Sequence, residues 1–216
     1  MIHGFLNNKI VSAEEYLIDL ELRKGRSVGI SHNLIDMFIR FDNREIDAFI
    51  LDNTNDRLII QLVLPLADKF DDRTNVYKNS HIRKLLNSTK FLSRFNKEFI
   101  KHIKPKIVHT ENYTTKDKLW LLSHEEVCRD VDFLRRNNNC RPFDLCEQIN
   151  LRIYSQALLK LNNQEWNGWW LRSACSSASN NSGSSLVGFV NSGGYVDYDY
   201  ATDTDYAALL PACIIC

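Results

Sequence analysis

Residues 168–216 read GWWLRSACSSASNNSGSSLVGFVNSGGYVDYDYATDTDYAALLPACIIC. Two apolar blocks, GWWLRS at the start and LLPACII at the end, enclose a tract of Ser, Asn, Asp, Tyr, Thr, Gly and Ala. Every one of the 27 Lys and Arg residues lies at or before Arg172. Beyond it the charges are Asp197, Asp199, Asp203 and Asp205. The first 172 residues therefore hold 27 basic and 23 acidic groups, a net +4, and the tail a net −4. Such asymmetry within a neutral chain points to a tail with a separate task.

The tract reads as β structure. Trp169-Trp170-Leu171 is a buried strand. Val190 and Val196 flank Asn191-Ser192-Gly193-Gly194-Tyr195, where two glycines supply the positive φ of a tight hairpin. In YVDYDY the tyrosines Tyr198 and Tyr200 point to one side and Asp197 and Asp199 to the other. Leu209 to Ile215 forms a closing core strand. A flexible Ser/Gly linker would not carry Phe189, Val190, Val196 and tyrosines at strand spacing between two core strands. An unremarkable surface hairpin stays open as the plain reading.

Upstream, IDAFILD (46–52) and RLIIQLVLPL (57–66) are strands joined by the turn Asn53-Thr54-Asn55-Asp56. Asn79-Ser80 caps a helix with Ile82, Leu85 and Leu86 on one face. A second helix carries Phe91, Leu92, Phe95, Phe99, Ile100 and Ile103 and ends before Pro105. KLWLLS (118–123) is a buried strand. HEEVCRDVDFLRR and LCEQINLRIYSQALLKL are helical. Ala13 to Leu22 and the Leu34, Met37, Phe38 spacing give short helices in an N-terminal appendage, residues 1–40, ahead of a domain over 41–216. Strands, then two helices, then short strands with long connections make an α+β fold.

Composition is that of a soluble globular protein. A net charge of zero offers no field for nucleic acid, and no apolar run is long enough for membrane insertion. The N-terminus lacks a basic segment followed by an apolar one, so a cytoplasmic or virion-associated protein is expected. The six cysteines, 128, 140, 146, 175, 213 and 216, are read as reduced, buried thiols. His124, Cys128, Cys140 and Cys146 have zinc-capable side chains at a spacing that fits no finger or ribbon. Cys213-Ile-Ile-Cys216 lacks the following helix of a redox motif. His124-Glu125-Glu126 would offer a base beside carboxylates, against the plainer reading of a solvated helix start with acids in its first turn. The Asp-rich DYDYATDTD lacks the Gly and Glu of a calcium loop. No hydrolase, zincin, P-loop or dinucleotide motif occurs. Metal, cofactor and catalytic residues are therefore all expected to be none.

Between Ser173 and Ala208 there is no Lys, Glu, Gln, Met or Trp. None of those five has a codon ending in a pyrimidine. Ser, Thr, Tyr and Asp each lie one base change from an Asn codon. The tract looks like Asn codons whose adenines have been replaced. Five blocks then carry a resemblance: Y-x-x-S-x-I-R-x-x-L-N (77–87), D-K-L-W-L-L-S-x-x-E-V (117–127), G-W-W-L-R-S (168–173), Val190 and Val196 around Gly193-Gly194, and L-P-A-x-I-I (210–215). Over roughly residues 45–216 the chain resembles the C-type-lectin-fold variable proteins of diversity-generating retroelements, a grouping with formylglycine-generating-enzyme-like members. In such systems a reverse transcriptase rewrites the 3′ end of a target gene with errors at adenines.

The resemblance implies a non-enzymatic protein that displays a hypervariable surface, about residues 173–208, to a macromolecular ligand, foremost a protein. Its scaffold would be Trp169, Trp170, Leu171, Arg172, Val190 and Val196, with Leu186, Val187 and the Leu210 strand. Its ligand-binding positions would be Ser176, Ser177, Ser179, Asn180, Asn181, Ser182, Ser184, Ser185, Phe189, Asn191, Ser192, Tyr195, Asp197, Tyr198, Asp199, Tyr200, Thr202, Asp203, Thr204, Asp205 and Tyr206. Tyrosines would anchor, and the aspartates would favour a basic partner. Ala208-Leu-Leu-Pro-Ala replaces the Gly-Val-Arg-Pro-Ala block of relatives. Trp166-Asn167-Gly168 only approximates a lectin calcium motif, so calcium-dependent sugar binding is not implied. An invariant domain of the same fold, with a structural or fixed-ligand role in a phage or cell-surface assembly, is the alternative; a metal-dependent enzyme using His124 is a third reading.

Overall fold

Among the described residues, apolar runs long enough for a strand but too short for a helix dominate, and strands with small helices are the outcome. The computed structural model describes residues 2–6, 9–12, 39–54, 57–110, 113–127, 167–175, 186–203 and 207–216. Their elements run β1 (Ile2–Leu6), β2 (Lys9–Ser12), β3 (Arg40–Phe41), β4 (Arg44–Glu45), β5 (Ala48–Thr54), β6 (Arg57–Leu62), a 3₁₀ turn (Tyr77–Asn79), α1 (His81–Leu86), α2 (Thr89–Leu92) and α3 (Lys97–His102). They continue with β7 (Ile103–Lys104), β8 (Lys106–His109), β9 (Thr114–Asp117), α4 (His124–Val127), β10 (Gly168–Ala174), β11 (Leu186–Asn191), β12 (Val196–Tyr200), β13 (Ala207–Ala208) and β14 (Ala212–Ile215). Short helices beside small, mainly antiparallel sheets make this an α+β fold.

The larger sheet has the order β2-β1-β5-β6-β14-β7. Leu58 to Leu62 of β6 are buried without alternation, as a strand covered on both faces requires. Even Gln61 is enclosed; its Nε2 donates to the Leu210 carbonyl at 2.8 Å, which removes the cost of an unpaired buried amide. The expected β5–β6 hairpin is present, from Ala48↔Leu62 to Thr54↔Arg57. β6 stops at Leu62, short of the Leu66 expected, although Val63 and Leu64 stay buried. β14 closes the sheet from the other side, with Cys213 opposite Ile60 and Ile215 opposite Ile103. The N-terminal hairpin β1–β2 is continuous with this sheet, pairing Ile2↔Ala48 and His3↔Phe49 in parallel. The helices expected within 13–22 and 34–38 lie outside the described residues.

The second predicted helix is two helices. Ser88 caps α2, its Oγ accepting from Phe91 N at 3.1 Å. The chain then breaks at Ser93–Asn96 before α3. A β3–β4 hairpin, not anticipated, causes the break: Asp42 N donates to Arg94 O at 2.9 Å and Asn96 N to Arg40 O at 3.0 Å. The backbone groups at 94 and 96 serve this hairpin in place of a continuing helical ladder. The apolar period 91, 95, 99 survives because Phe91 and Phe95 pack on Phe41 and Phe99 packs on Phe95. Ring centroids are 5.4 Å apart for Phe41–Phe91, 4.8 Å for Phe41–Phe95 and 5.3 Å for Phe95–Phe99. Ile103, expected to end the helix, instead opens β7.

KLWLLS is buried, as expected, but it is an extended connector and not a full strand. It bridges to β14 at Trp120↔Ala212. Asn87 fixes its path: the side-chain oxygen accepts from Lys118 N at 2.8 Å, and Nδ2 donates to Leu119 O at 2.8 Å. Arg83 Nε donates to the buried Asp117 carboxylate at 2.9 Å. Arg83 and Asn87 of the first sequence block thus tie α1 to the second.

Candidate functional site

β10 is the floor of the smaller sheet, ordered β12-β11-β10-β13. Trp169, Trp170 and Leu171 are fully enclosed. Trp170 donates its indole N–H to Asp68 O at 2.9 Å and packs between Phe70 and Phe189, ring centroids 6.1 and 6.2 Å away. Gly168 is required by close approach, since a Cβ there would lie 2.2 Å from Val190 O.

Arg172 is buried to 2 % exposure and Glu126 to 4 %. Their side chains pair through Arg172 Nη1 and Glu126 Oε2. Nη1 also donates to Leu121 O at 2.8 Å, and Nη2 donates to His109 O at 3.3 Å. Lys106 Nζ reaches Glu126 Oε1 at 3.2 Å and stands 4.7 Å from the Trp120 ring centre. Burial pushes the Glu126 pKa up, but the Arg172 and Lys106 charges more than offset this and bring it to about 2. Glu126 is therefore not part of a solvated helix start; the polar face expected there is an internal anchor. Ser123 and Glu126 form a reciprocal cap: Glu126 N donates to Ser123 Oγ at 3.2 Å, and Ser123 N donates to Glu126 Oε2 at 3.1 Å. Ser173 Oγ accepts from His124 N at 2.9 Å. Arg172 and Ser173 of the third block thus join it to the second.

β11 and β12 form the expected hairpin, from Leu186↔Tyr200 to Val190↔Val196, with β11 paired edge to edge to β10. Of the two turn glycines, Gly194 carries the positive φ, 78°. Asn191, expected on the ligand-binding surface, has a structural job. Its Oδ1 accepts from Gly193 N at 2.9 Å and from Tyr195 N at 3.1 Å. Phe189, also expected there, is half-buried with its ring against Trp170. The tyrosines are outside: Tyr195 is 57 %, Tyr198 39 % and Tyr200 60 % exposed. Register puts Tyr198 and Tyr200 on one face with Leu186, Gly188, Val190 and Val196, and Asp197 and Asp199 on the other with Val187 and Phe189. Val187 and Val190 are buried, and Leu186 and Val196 half-buried, so apolar residues stand on both faces of the hairpin, Leu186, Val190 and Val196 beside the tyrosines and Val187 and Phe189 beside the aspartates. Ser192 and Thr202 are exposed and Asp203 is half-buried. Ser176, Ser177, Ser179, Asn180, Asn181, Ser182, Ser184, Ser185, Thr204, Asp205 and Tyr206 lie outside the described residues.

Support for the hairpin also comes from the 67–75 loop, which sequence reading passed over. Asp71 N donates to Ala201 O at 2.9 Å, and Asn75 Nδ2 donates to Leu186 O at 3.3 Å. Asp71 Oδ1 accepts from Arg73 N and Thr74 N, at 2.7 and 3.1 Å. The signal was the run Asp71-Asp72-Arg73-Thr74-Asn75, dense in turn-formers.

Cys213 is buried in β14, and burial pushes its thiol well above the ordinary range. Cys216 is exposed and Cys175 half-buried, and all three are free thiols. Cys128, Cys140 and Cys146 lie outside the described residues. Among the described residues no three His, Cys, Asp or Glu side chains gather as a metal site, and no helix is long and apolar enough to cross a membrane.

Fold and surface together define an α+β domain in which a tyrosine-bearing hairpin extends the sheet of a buried tryptophan strand. The chain belongs to the family described as Domain of unknown function (DUF6273), which matches residues 56–216. The match starts between β5 and β6 and takes in all three linked blocks and the hairpin. No curated protein and no solved structure matches the chain.

Proposed function

We propose that this chain is a non-enzymatic binding protein with a C-type-lectin-like fold. It presents the β11–β12 hairpin to a macromolecular ligand, foremost a protein, and belongs with the variable proteins of diversity-generating retroelements. One observation carries the reading. Three tyrosines of one hairpin stand 39–60 % exposed at the edge of a sheet whose inner strand, β10, is almost wholly enclosed. Exposed Tyr offers a large amphipathic contact with few rotamers to freeze, the property that enriches it in paratopes. The floor is held by the Trp170–Asp68, Arg172–Glu126 and Ser173–His124 bonds, none of which involves a tyrosine side chain. Exposed side chains at 195 and 200 can then change identity while the backbone path stays.

The nucleotide sequence around the gene tests the retroelement part. A near-copy of the DNA for residues 173–208, differing at adenines and lying beside a reverse transcriptase gene, is expected. A locus with neither leaves the second reading, an invariant domain of the same fold with a fixed ligand or a structural role. Asn191 favours that second reading, because two turn N–H groups depend on its side chain.

A further inference from the structure

Asp197 and Asp199 face away from the tyrosines and do something local. The Asn191 N to Tyr195 O bond of 2.9 Å fixes which pairs of the hairpin exchange hydrogen bonds. From it, residues 197 and 199 turn their backbone groups toward β11, and residues 196, 198 and 200 turn theirs outward. β12 ends its sheet, and among the described residues no strand lies on its outer side. Such an edge is a template for a further strand. Here three of the outward groups are taken, two of them N–H groups: Tyr198 N donates to Asp197 Oδ1 at 2.8 Å and Tyr200 N to Asp199 Oδ1 at 2.8 Å. Tyr200 O accepts from Asp203 N at 2.9 Å.

We infer that Asp197 and Asp199 are guards of the β12 edge. By occupying the outward N–H groups they stop a second copy of this chain from pairing β12 to β12, antiparallel about a two-fold axis. This deepens the display reading, on which it rests for the role of the tyrosine face: a ligand would meet side chains, while backbone strand addition is closed. A basic partner is then not needed to explain the two aspartates.

The full chain, ¹⁵N-labelled, serves as probe, with amide exchange read by NMR and association by sedimentation velocity over a concentration series. Asp197→Ala with Asp199→Ala is expected to speed exchange of the Tyr198 and Tyr200 amides about tenfold, the size of one lost hydrogen bond. The inward amides of residues 197 and 199 should keep their rates, and a concentration-dependent dimer should form that the parent lacks. Asp197→Asn with Asp199→Asn keeps the acceptors and removes the charges; it should match the parent in both readouts. Unchanged Tyr198 and Tyr200 exchange, unchanged sedimentation of the Ala pair, or an Asn pair that associates as the Ala pair does would each overturn the inference. Should the Ala pair not fold, each single substitution reads its own amide. No ligand enters these measurements, so failure here leaves the display reading standing, and a gene without a template copy leaves the guards standing.

Discussion

Glu126→Ala should be among the most damaging single substitutions in the chain. It strips the carboxylate from between Arg172 and Lys106 and leaves the Arg172 guanidinium, 2 % exposed, without a counter-charge. Removing one member of a buried pair costs about 3–5 kcal/mol. In a domain of this size each kcal/mol moves the melting temperature by about 2–4 °C, so a fall on the order of 10 °C is expected. Acid adds a second reading of the same pair. The Glu126 pKa is about 2 when folded against an ordinary 4.5. A depressed folded value means that the stabilisation is complete above pH 4.5 and is lost as pH falls from there through 2. Between those limits the parent should lose on the order of 3 kcal/mol from this group, a loss absent from Glu126→Gln. Arg172→Met with Glu126→Leu should cost far less than the sum of the two single changes, because neither charge is then stranded. Thermal and urea denaturation at pH 7 and across pH 2–6, followed by circular dichroism, provide the numbers. Single variants within about 1 kcal/mol of the parent, or additive costs in the double, would refute the account of Arg172 and Glu126 as one internal anchor.

Other substitutions separate floor from surface. Tyr195→Ser and Tyr200→Ser should each shift stability by less than about 0.5 kcal/mol, whereas Trp170→Ala should cost about 3–5 kcal/mol; equal costs in denaturant melts would contradict the layering. Asn191→Ala should lose about 1–2 kcal/mol from the turn while Asn191→Asp, which keeps an acceptor for Gly193 N and Tyr195 N, stays near the parent. Gly168→Ala brings a Cβ to 2.2 Å from Val190 O and should abolish the native near-UV spectrum or lower soluble yield sharply.

The hairpin at 186–200 was legible because everything that makes it is local: two valines at matched register, a turn with glycines, and alternating residues beyond. β6 and β14 were legible for a different reason, their unbroken apolar runs. The 91–103 segment misled because Phe91 and Phe95 keep a helical period for the sake of Phe41, some fifty residues earlier, and Phe99 continues it against Phe95. Asp42-Asn43, both at positive φ, is a hairpin-turn pair that a search for turn residues could have found. Ser123-x-x-Glu126 likewise carried a capping-box spacing, yet was read only as dipole-favoured acid. What no local pattern could supply was the burial of Glu126. That depends on Arg172, 46 positions away, and on Lys106 from β8. At the candidate surface, sequence found the exposed tyrosines but assigned Asn191 and Phe189 to contact when they serve the turn and the floor. The difference lies in hydrogen-bond direction and ring packing, neither of which composition encodes.

β14 sits between β6 and β7, so the sheet that β1, β2, β5 and β6 begin is joined to β7 only by residues 212–215. Everything between, the tyrosine hairpin included, must leave the ribosome before β6 gains its second neighbour. A one-nucleotide slip anywhere upstream replaces Ala212–Ile215 with unrelated residues and leaves the inner edges of β6 and β7 bare. Closure of the larger sheet is thus an all-or-none reading of the chain's far end: with residues 212–215 in place β6 and β7 are joined, and with any other sequence there they are two separate edges.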